Sequence, residues 1–124
     1  MTLGPISPFF VVTDLARSLA FYSETLHFEV RYTTPDEDPF FAIVGRDHAQ
    51  IQLKDPRQTD DEIVEPRPNS TVHPQAPWDA FVPTQDPDEL ARELGVEVHA
   101  REDGLRGFEM RDPDGYVLFF GRPA

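Results

Sequence analysis

Two stretches of this chain share one design, 67 residues apart. The later one, Phe108 to Phe120, reads FEMRDPDGYVLFF, and the earlier one, Phe41 to Leu53, reads FAIVGRDHAQIQL. In the later stretch, Asp112-Pro113-Asp114-Gly115 is a turn. Proline presets φ at the first central position, the aspartates bond their own backbone, and glycine supplies a positive φ. Tyr116 to Phe120 then runs back as a strand of β-branched and aromatic residues. The earlier stretch repeats the layout: an apolar run, a polar turn at Gly45-Arg46-Asp47-His48, and a second run. The shift sets Asp47 on Asp114, Ile51 on Leu118, Gln52 on Phe119 and Leu53 on Phe120.

What precedes each hairpin repeats as well. Ile6 to Val12 predicts a first strand, and Pro8 near its start puts that strand at a sheet edge. Trp78 to Thr84 predicts its counterpart, with Pro83 in the same role. Thr13-Asp14 offers a helix N-cap, and apolar residues at Leu15, Leu19, Tyr22 and Leu26, with Phe21 beside them, make an amphipathic helix. Asp86 caps a second helix with Pro87 at its first position and Asp88 and Glu89 in its first turn. Leu90, Ala91 and Leu94 face inward there, and Gly95 ends it. Leu26 to Tyr32 leaves the first helix as a strand, and Val96 to His99 leaves the second. Asp14 maps onto Asp86 at a shift of 72 and Leu26–Val30 onto Leu94–Val98 at 68, so the second copy has a helix shorter by four residues and a loop shorter by one. A period near 70 is too long for a solenoid and fits two copies of one βαβββ unit.

The expected layout is one domain: module one at 5–54, a linker at 55–77 rich in proline, and module two at 78–122. The linker is longer than most connections and reads as a lid or a mobile tether. The fold class expected is α+β, the two modules pairing into a curved mixed sheet that forms a cup, with helices on the outside.

Composition excludes several classes of function. The chain has no cysteine, which removes disulfides, thiolate nucleophiles and cysteine-metal sites. Its four histidines, at 27, 48, 73 and 99, show no close pair, and no partner for a general base is visible. A net charge of −12 argues against nucleic acid, since phosphates are neutralised by clustered Lys and Arg, and it is compatible with a cationic ligand. No apolar run approaches the roughly 20 residues of a membrane span. The N-terminus lacks a signal peptide's basic start and apolar core, so a cytoplasmic location is the default expectation.

Residues 9 to 30 (FFVVTDL…LAFYSETLHFEV), the IQL at 51 to 53 and GFEMRDPDGYVLFF at 107 to 120 resemble the vicinal oxygen chelate superfamily. That superfamily includes glyoxalase I, extradiol dioxygenases, fosfomycin resistance enzymes and bleomycin resistance proteins. The resemblance implies four strand positions for a divalent metal, two per module, which fall here on Ser7, Gln52, Asp79 and Phe119. The internal repeat pairs the same four, Ser7 with Asp79 and Gln52 with Phe119.

Metal chemistry then decides. Catalytic sites need His, Asp, Glu or Cys, usually three of them with an open position. Phe119 has no donor atom, Ser7 and Gln52 are weak neutral ligands, and only Asp79 is anionic. The expectation is therefore no metal, no cofactor and no catalytic residue. The resemblance is strongest to the bleomycin-resistance type, which implies a homodimer that captures a small organic molecule. DAFVPTQDPDEL at 79 to 90 also resembles that type, while His27 stands where the family usually has Gly.

The expected ligand-binding residues are Ser7, Phe9, Phe41, Gln52, Trp78, Asp79, Phe81, Glu109 and Phe119, with Trp78 at the mouth. Aromatic walls with a few fixed polar groups suit a flat or cationic organic ligand. Phe10, Phe21, Phe28 and Phe120 are expected in the core, and the DPDG acids in a structural turn. Two other readings stay open. One is a metal-dependent lyase or dioxygenase using Asp79, Gln52 and a third ligand such as His48 or Glu109. The other is a partner-binding module whose pocket is filled by its own side chains.

Overall fold

The computed structural model describes residues 1–57 and 65–124; residues 58–64 of the expected linker lie outside the described residues. The chain divides into two compact units, Met1–Arg67 with Asp112–Asp114, and Pro68–Arg111 with Gly115–Ala124.

The first unit runs β1 (Phe9–Val11), α1 (Leu15–Ala20), β2 (Glu29–Thr34), β3 (Phe41–Arg46) and β4 (Ala49–Lys54). Its sheet has the order β1-β4-β3-β2, with β1 parallel to β4 and the other pairs antiparallel. Pro8 accordingly precedes an edge strand, where a missing N–H costs no ladder bond. Asp14 caps α1 as its spacing predicts, its Oδ1 accepting from Arg17 N at 3.2 Å.

The helix then loosens into a π-helical turn at Phe21–Thr25, which the sequence did not announce. Its buried line is Leu15, Ser18, Tyr22 and Leu26, while Leu19 and Phe21 are half-buried. The expected stripe thus shifts by one place, Ser18 taking the position assigned to Leu19, and Phe21 is not the core residue expected. Leu26 is the helix exit and not a strand residue. His27 turns the chain with φ +59, and the strand begins only at Glu29.

The second unit repeats the plan: α2 (Asn69–Val72), β5 (Ala80–Pro83), α3 (Pro87–Leu94), β6 (His99–Ala100), β7 (Leu105–Arg111) and β8 (Val117–Pro123). The order β5-β8-β7-β6, with β5 parallel to β8, matches the first sheet strand for strand. Asp86 caps α3 by accepting from Glu89 N at 3.0 Å, Pro87 opens it, and Gly95 closes it at φ +74.

Three expectations need correcting. Trp78 and Asp79 precede their strand instead of beginning it. Val96 and its neighbours are spent leaving the helix, Val96 N bonding Ala91 O at 2.9 Å, so the next strand is only His99–Ala100. The proline-rich stretch, expected to be irregular, holds the short helix α2.

Each unit is therefore a βαβββ module, and the fold is α+β with two four-stranded mixed sheets. Strand pairing also fixes which face is core. Phe10, Leu53 and Ala42 are register partners across β1, β4 and β3 and are all buried. Phe108 and Phe120 pair on β7 and β8, equally buried, with their rings stacked 5.4 Å apart. Burying such a side chain contributes about 1.5–3 kcal/mol each. Among the described residues no helix is long and apolar enough to cross a membrane.

Candidate functional site: the open sheet faces

Side chains alternate between the faces of a strand, so the partners of core residues define one face and their chain neighbours the other. In the first unit the opposite row is Phe9, Gln52, Ile43 and Tyr32, consecutive register partners across β1, β4, β3 and β2. Phe9 is 53% and Tyr32 52% exposed, although both are large and apolar in character. Phe41, two residues before Ile43, shares that face and meets the Tyr32 ring edge-on at 6.2 Å. Ser7 lies beside it, its Oγ accepting from Gln50 Nε2 at 3.0 Å.

In the second unit the equivalent row is Phe81, Phe119 and Glu109 across β5, β8 and β7. The internal repeat therefore holds at the level of register: Phe9 pairs with Gln52 as Phe81 pairs with Phe119. Trp78 stacks on Phe119 with centroids 4.7 Å apart, Phe81 stacks on it at 5.7 Å, and Trp78 and Phe81 meet each other at 5.8 Å, tilted by 47°. Phe119 is only 1% exposed despite lying on the open face.

The reason lies partly beneath it. Its ring is laid over Gly107 and Gly121, themselves register partners. A Cβ added to Gly121 would stand 2.5 Å from Phe119 Cε1, and one added to Gly107 2.9 Å from Phe119 Cζ. The two glycines make the shelf on which the ring lies flat.

Asp79 has a different part from the one its position suggests. Its Oδ1 accepts from Asn69 N at 2.6 Å and its Oδ2 from Val117 N at 2.8 Å, while its own N–H donates to Val117 O at 2.8 Å. Both carboxylate oxygens are thus engaged in tying α2 to the start of β8. Asn69 Nδ2 also donates to Trp78 O at 3.2 Å, which helps place the indole.

Sequence reasoning missed Arg101. It follows β6, and its guanidinium lies 5.2 Å from the Trp78 centroid and 5.6 Å from that of Phe119. Beside this cluster is a depression of about 350 Å³ whose walls include His99, Arg101, Gly107, Glu109 and Phe119. Glycines paired across a hairpin were a legible hint of a ring lying on that face; nothing in the local sequence marks Arg101.

The four positions implied for a metal divide two and two, Ser7 and Gln52 in the first unit, Asp79 and Phe119 in the second. Phe119 offers no electron pair, Ser7 and Gln52 offer neutral oxygens, and the Asp79 carboxylate already accepts two backbone hydrogen bonds. Among the described residues no group of three or more His, Cys, Asp or Glu is assembled to hold a metal ion. This donor set does not suit a divalent cation.

The sequence profile of the Glyoxalase/Bleomycin resistance protein/Dioxygenase superfamily matches residues 3–120, nearly the whole chain. The chain belongs to this superfamily. Among solved structures it resembles the bleomycin-binding protein from bleomycin-producing Streptomyces verticillus, complexed with copper(II)-bleomycin. That likeness has a TM-score of 0.66 at 20% identity, over 97% of this chain and 96% of the other. The antibiotic-binding protein TnmS3 from Streptomyces sp. CB03234 matches with a TM-score of 0.62 at 19% identity, over 100% and 99% of the two chains. A lactoylglutathione lyase from Agrobacterium tumefaciens matches with 0.57 at 17% identity, over 98% and 95%. At such identities the likeness is one of fold, and this fold carries both binders and an enzyme. No curated protein matches the chain by sequence.

Proposed function

We propose that this protein binds a small, flat organic molecule on its open sheet faces without using a metal, in the manner of an antibiotic-binding or sequestering protein. The carrying observation is the aromatic row of the second unit. Trp78 and Phe81 each stack on Phe119 and meet each other tilted by 47°, an aromatic slab with Glu109 in register beside Phe119. Such a slab with a carboxylate at its edge favours a planar, electron-poor or cationic ring system over a small anion. Phe9, Phe41 and Gln52 line the first unit's own open face, where Ser7 accepts from Gln50, and Asp79 ties α2 to β8 in the second unit. The donor set supports metal independence, and the similarity to two antibiotic binders supports the ligand class by analogy.

We also propose a homodimer. Val30 and Tyr32, on the edge strand β2, are 47% and 52% exposed, an apolar edge that a second copy would cover. Light scattering at two protein concentrations tests this, a monomer at both being the adverse result.

The main experiment uses Trp78, the single tryptophan. Titration with a panel of flat antibiotics, bleomycin included, should change its fluorescence, and prior dialysis against a chelator should leave the binding unaltered. One equivalent of a transition metal retained after dialysis, together with binding lost on its removal, would show the reading to be wrong. So would silence across the whole panel.

A further inference from the structure

Arg101 completes the slab from within the chain. Its Nε donates to Asp103 Oδ2 at 3.1 Å, and Asp103 Oδ1 accepts from Leu105 N at 3.1 Å, so the side chain is held by an acid of its own turn. The turn itself is closed by Arg101 N to Leu105 O at 2.8 Å and by Gly104 at φ +86. On its other side a terminal nitrogen stands 3.7 Å from Glu109 Oε1, an ion pair too long for a hydrogen bond. A planar cation therefore already lies across two aromatic faces next to a carboxylate. Those are the contacts a planar organic cation would make with this site.

We propose that Arg101 is an internal occupant of the ligand site, and that the ligand carries an amidinium- or guanidinium-like group that takes its place. The incoming cation would lie over Trp78 and Phe119 and pair with Glu109, while Arg101 turns outward and keeps Asp103. The geometry favours this order of events. The contact to Glu109 is the looser one, the contact to Asp103 is local to the turn, and the side chains of Arg101 and Glu109 are 32% and 44% exposed. Charge agrees: with the guanidinium withdrawn, Glu109 faces the slab without its cation. In its resting position Arg101 repels cations, so it sets a threshold that weak or partly charged ligands do not pass. The inference deepens the function proposed above and rests on it.

The test compares 2-naphthamidine with its neutral counterpart 2-naphthamide by calorimetry, on the native chain and on Arg101→Gln. The variant should bind the amidine about tenfold more tightly, the loss of a cation competing over two rings, with the amide changed less than about twofold. Adding Glu109→Gln to that variant should abolish the gain. Arg101→Lys, which keeps the charge but not the plane, should gain less than Arg101→Gln, and it serves alone against the native chain if the Gln variant does not fold. An Arg101→Gln chain that binds the amidine equally or more weakly overturns the inference, and binding of the amide by the same chains would leave the proposed function standing. If neither compound binds any of the chains, the open face is not a ligand site and both proposals fall.

Discussion

At the scale of single residues, the second hairpin's turn does more than reverse the chain. Tyr22, fully buried, donates its hydroxyl to Asp112 Oδ2 at 2.9 Å, and Asp112 Oδ1 accepts from Asp114 N at 2.9 Å. A buried carboxylate is costly wherever one of its donors is removed. Tyr22→Phe should therefore lower unfolding stability by about 1–3 kcal/mol in urea, with an unchanged slope on denaturant. Another acid reports on pH. Asp88, in the first turn of α3, accepts two hydrogen bonds from Arg106, at 2.6 and 3.0 Å. The hydrogen bonding by Arg106, with its positive charge and those of Arg92 and Arg122, holds the Asp88 carboxyl below its usual range despite some desolvation. Because the folded value is depressed, the pair contributes fully above the ordinary value of 3.8 and is lost as pH falls through the folded one. Asp88→Asn should accordingly be less stable than the native chain at neutral pH, and the difference should close on acidification below the ordinary carboxylate range. A gap that stays constant in acid melts would count against the pairing.

At the scale of elements, the two helix ends form a natural comparison. Gly95 closes α3 at φ +74, and a Cβ there would meet nothing within 4 Å. Gly95→Ala should thus cost about 1 kcal/mol, purely from backbone strain. His27 holds the corresponding post after the first helix at φ +59, so His27→Gly should shift stability the opposite way; paired thermal melts decide both. These ends also show what was legible. Asp14, Asp86, Pro87, Gly95 and the DPDG turn act within a few residues of themselves, and each does what its chemistry says. Leu26 and Val96 are apolar residues between a helix and a strand, and no local preference separates exit from strand. Ser18 is buried where Leu19 was expected because 15, 18, 22 and 26 fit the helical period as well as 15, 19, 22 and 26, and tertiary packing chooses between them. Phe119 was readable as a residue of the open face through the repeat. Its burial was not, because Trp78 and Phe81, which stack on it, come from other segments. Arg101 was hidden for the same reason, its ring partners lying 23 and 18 positions away.

At the scale of the whole molecule, duplication explains both the fold and the correspondence between the two open faces. One βαβββ plan, used twice, gives two sheets with the same strand order and the same register between first and last strands. The two open faces differ in chemistry. Gln52 stands where its counterpart is Phe119, so one face keeps a polar amide while the other became a stacked slab. Around both, 23 acidic residues outnumber 11 basic ones, a net charge of −12 that no single contact expresses. Such a field acts on approach more than on residence, raising the encounter rate of cations without strengthening any contact. Screening sets its range: the Debye length shrinks from about 30 Å at 0.01 M salt to about 8 Å at 0.15 M. Stopped-flow measurements of Trp78 fluorescence should show association of 2-naphthamidine slowing severalfold over that interval, with dissociation nearly unchanged. The neutral amide should associate at the same rate at both concentrations. If both compounds respond alike, the acidity serves solubility alone and selectivity for charge must come entirely from Glu109 and the slab beside it.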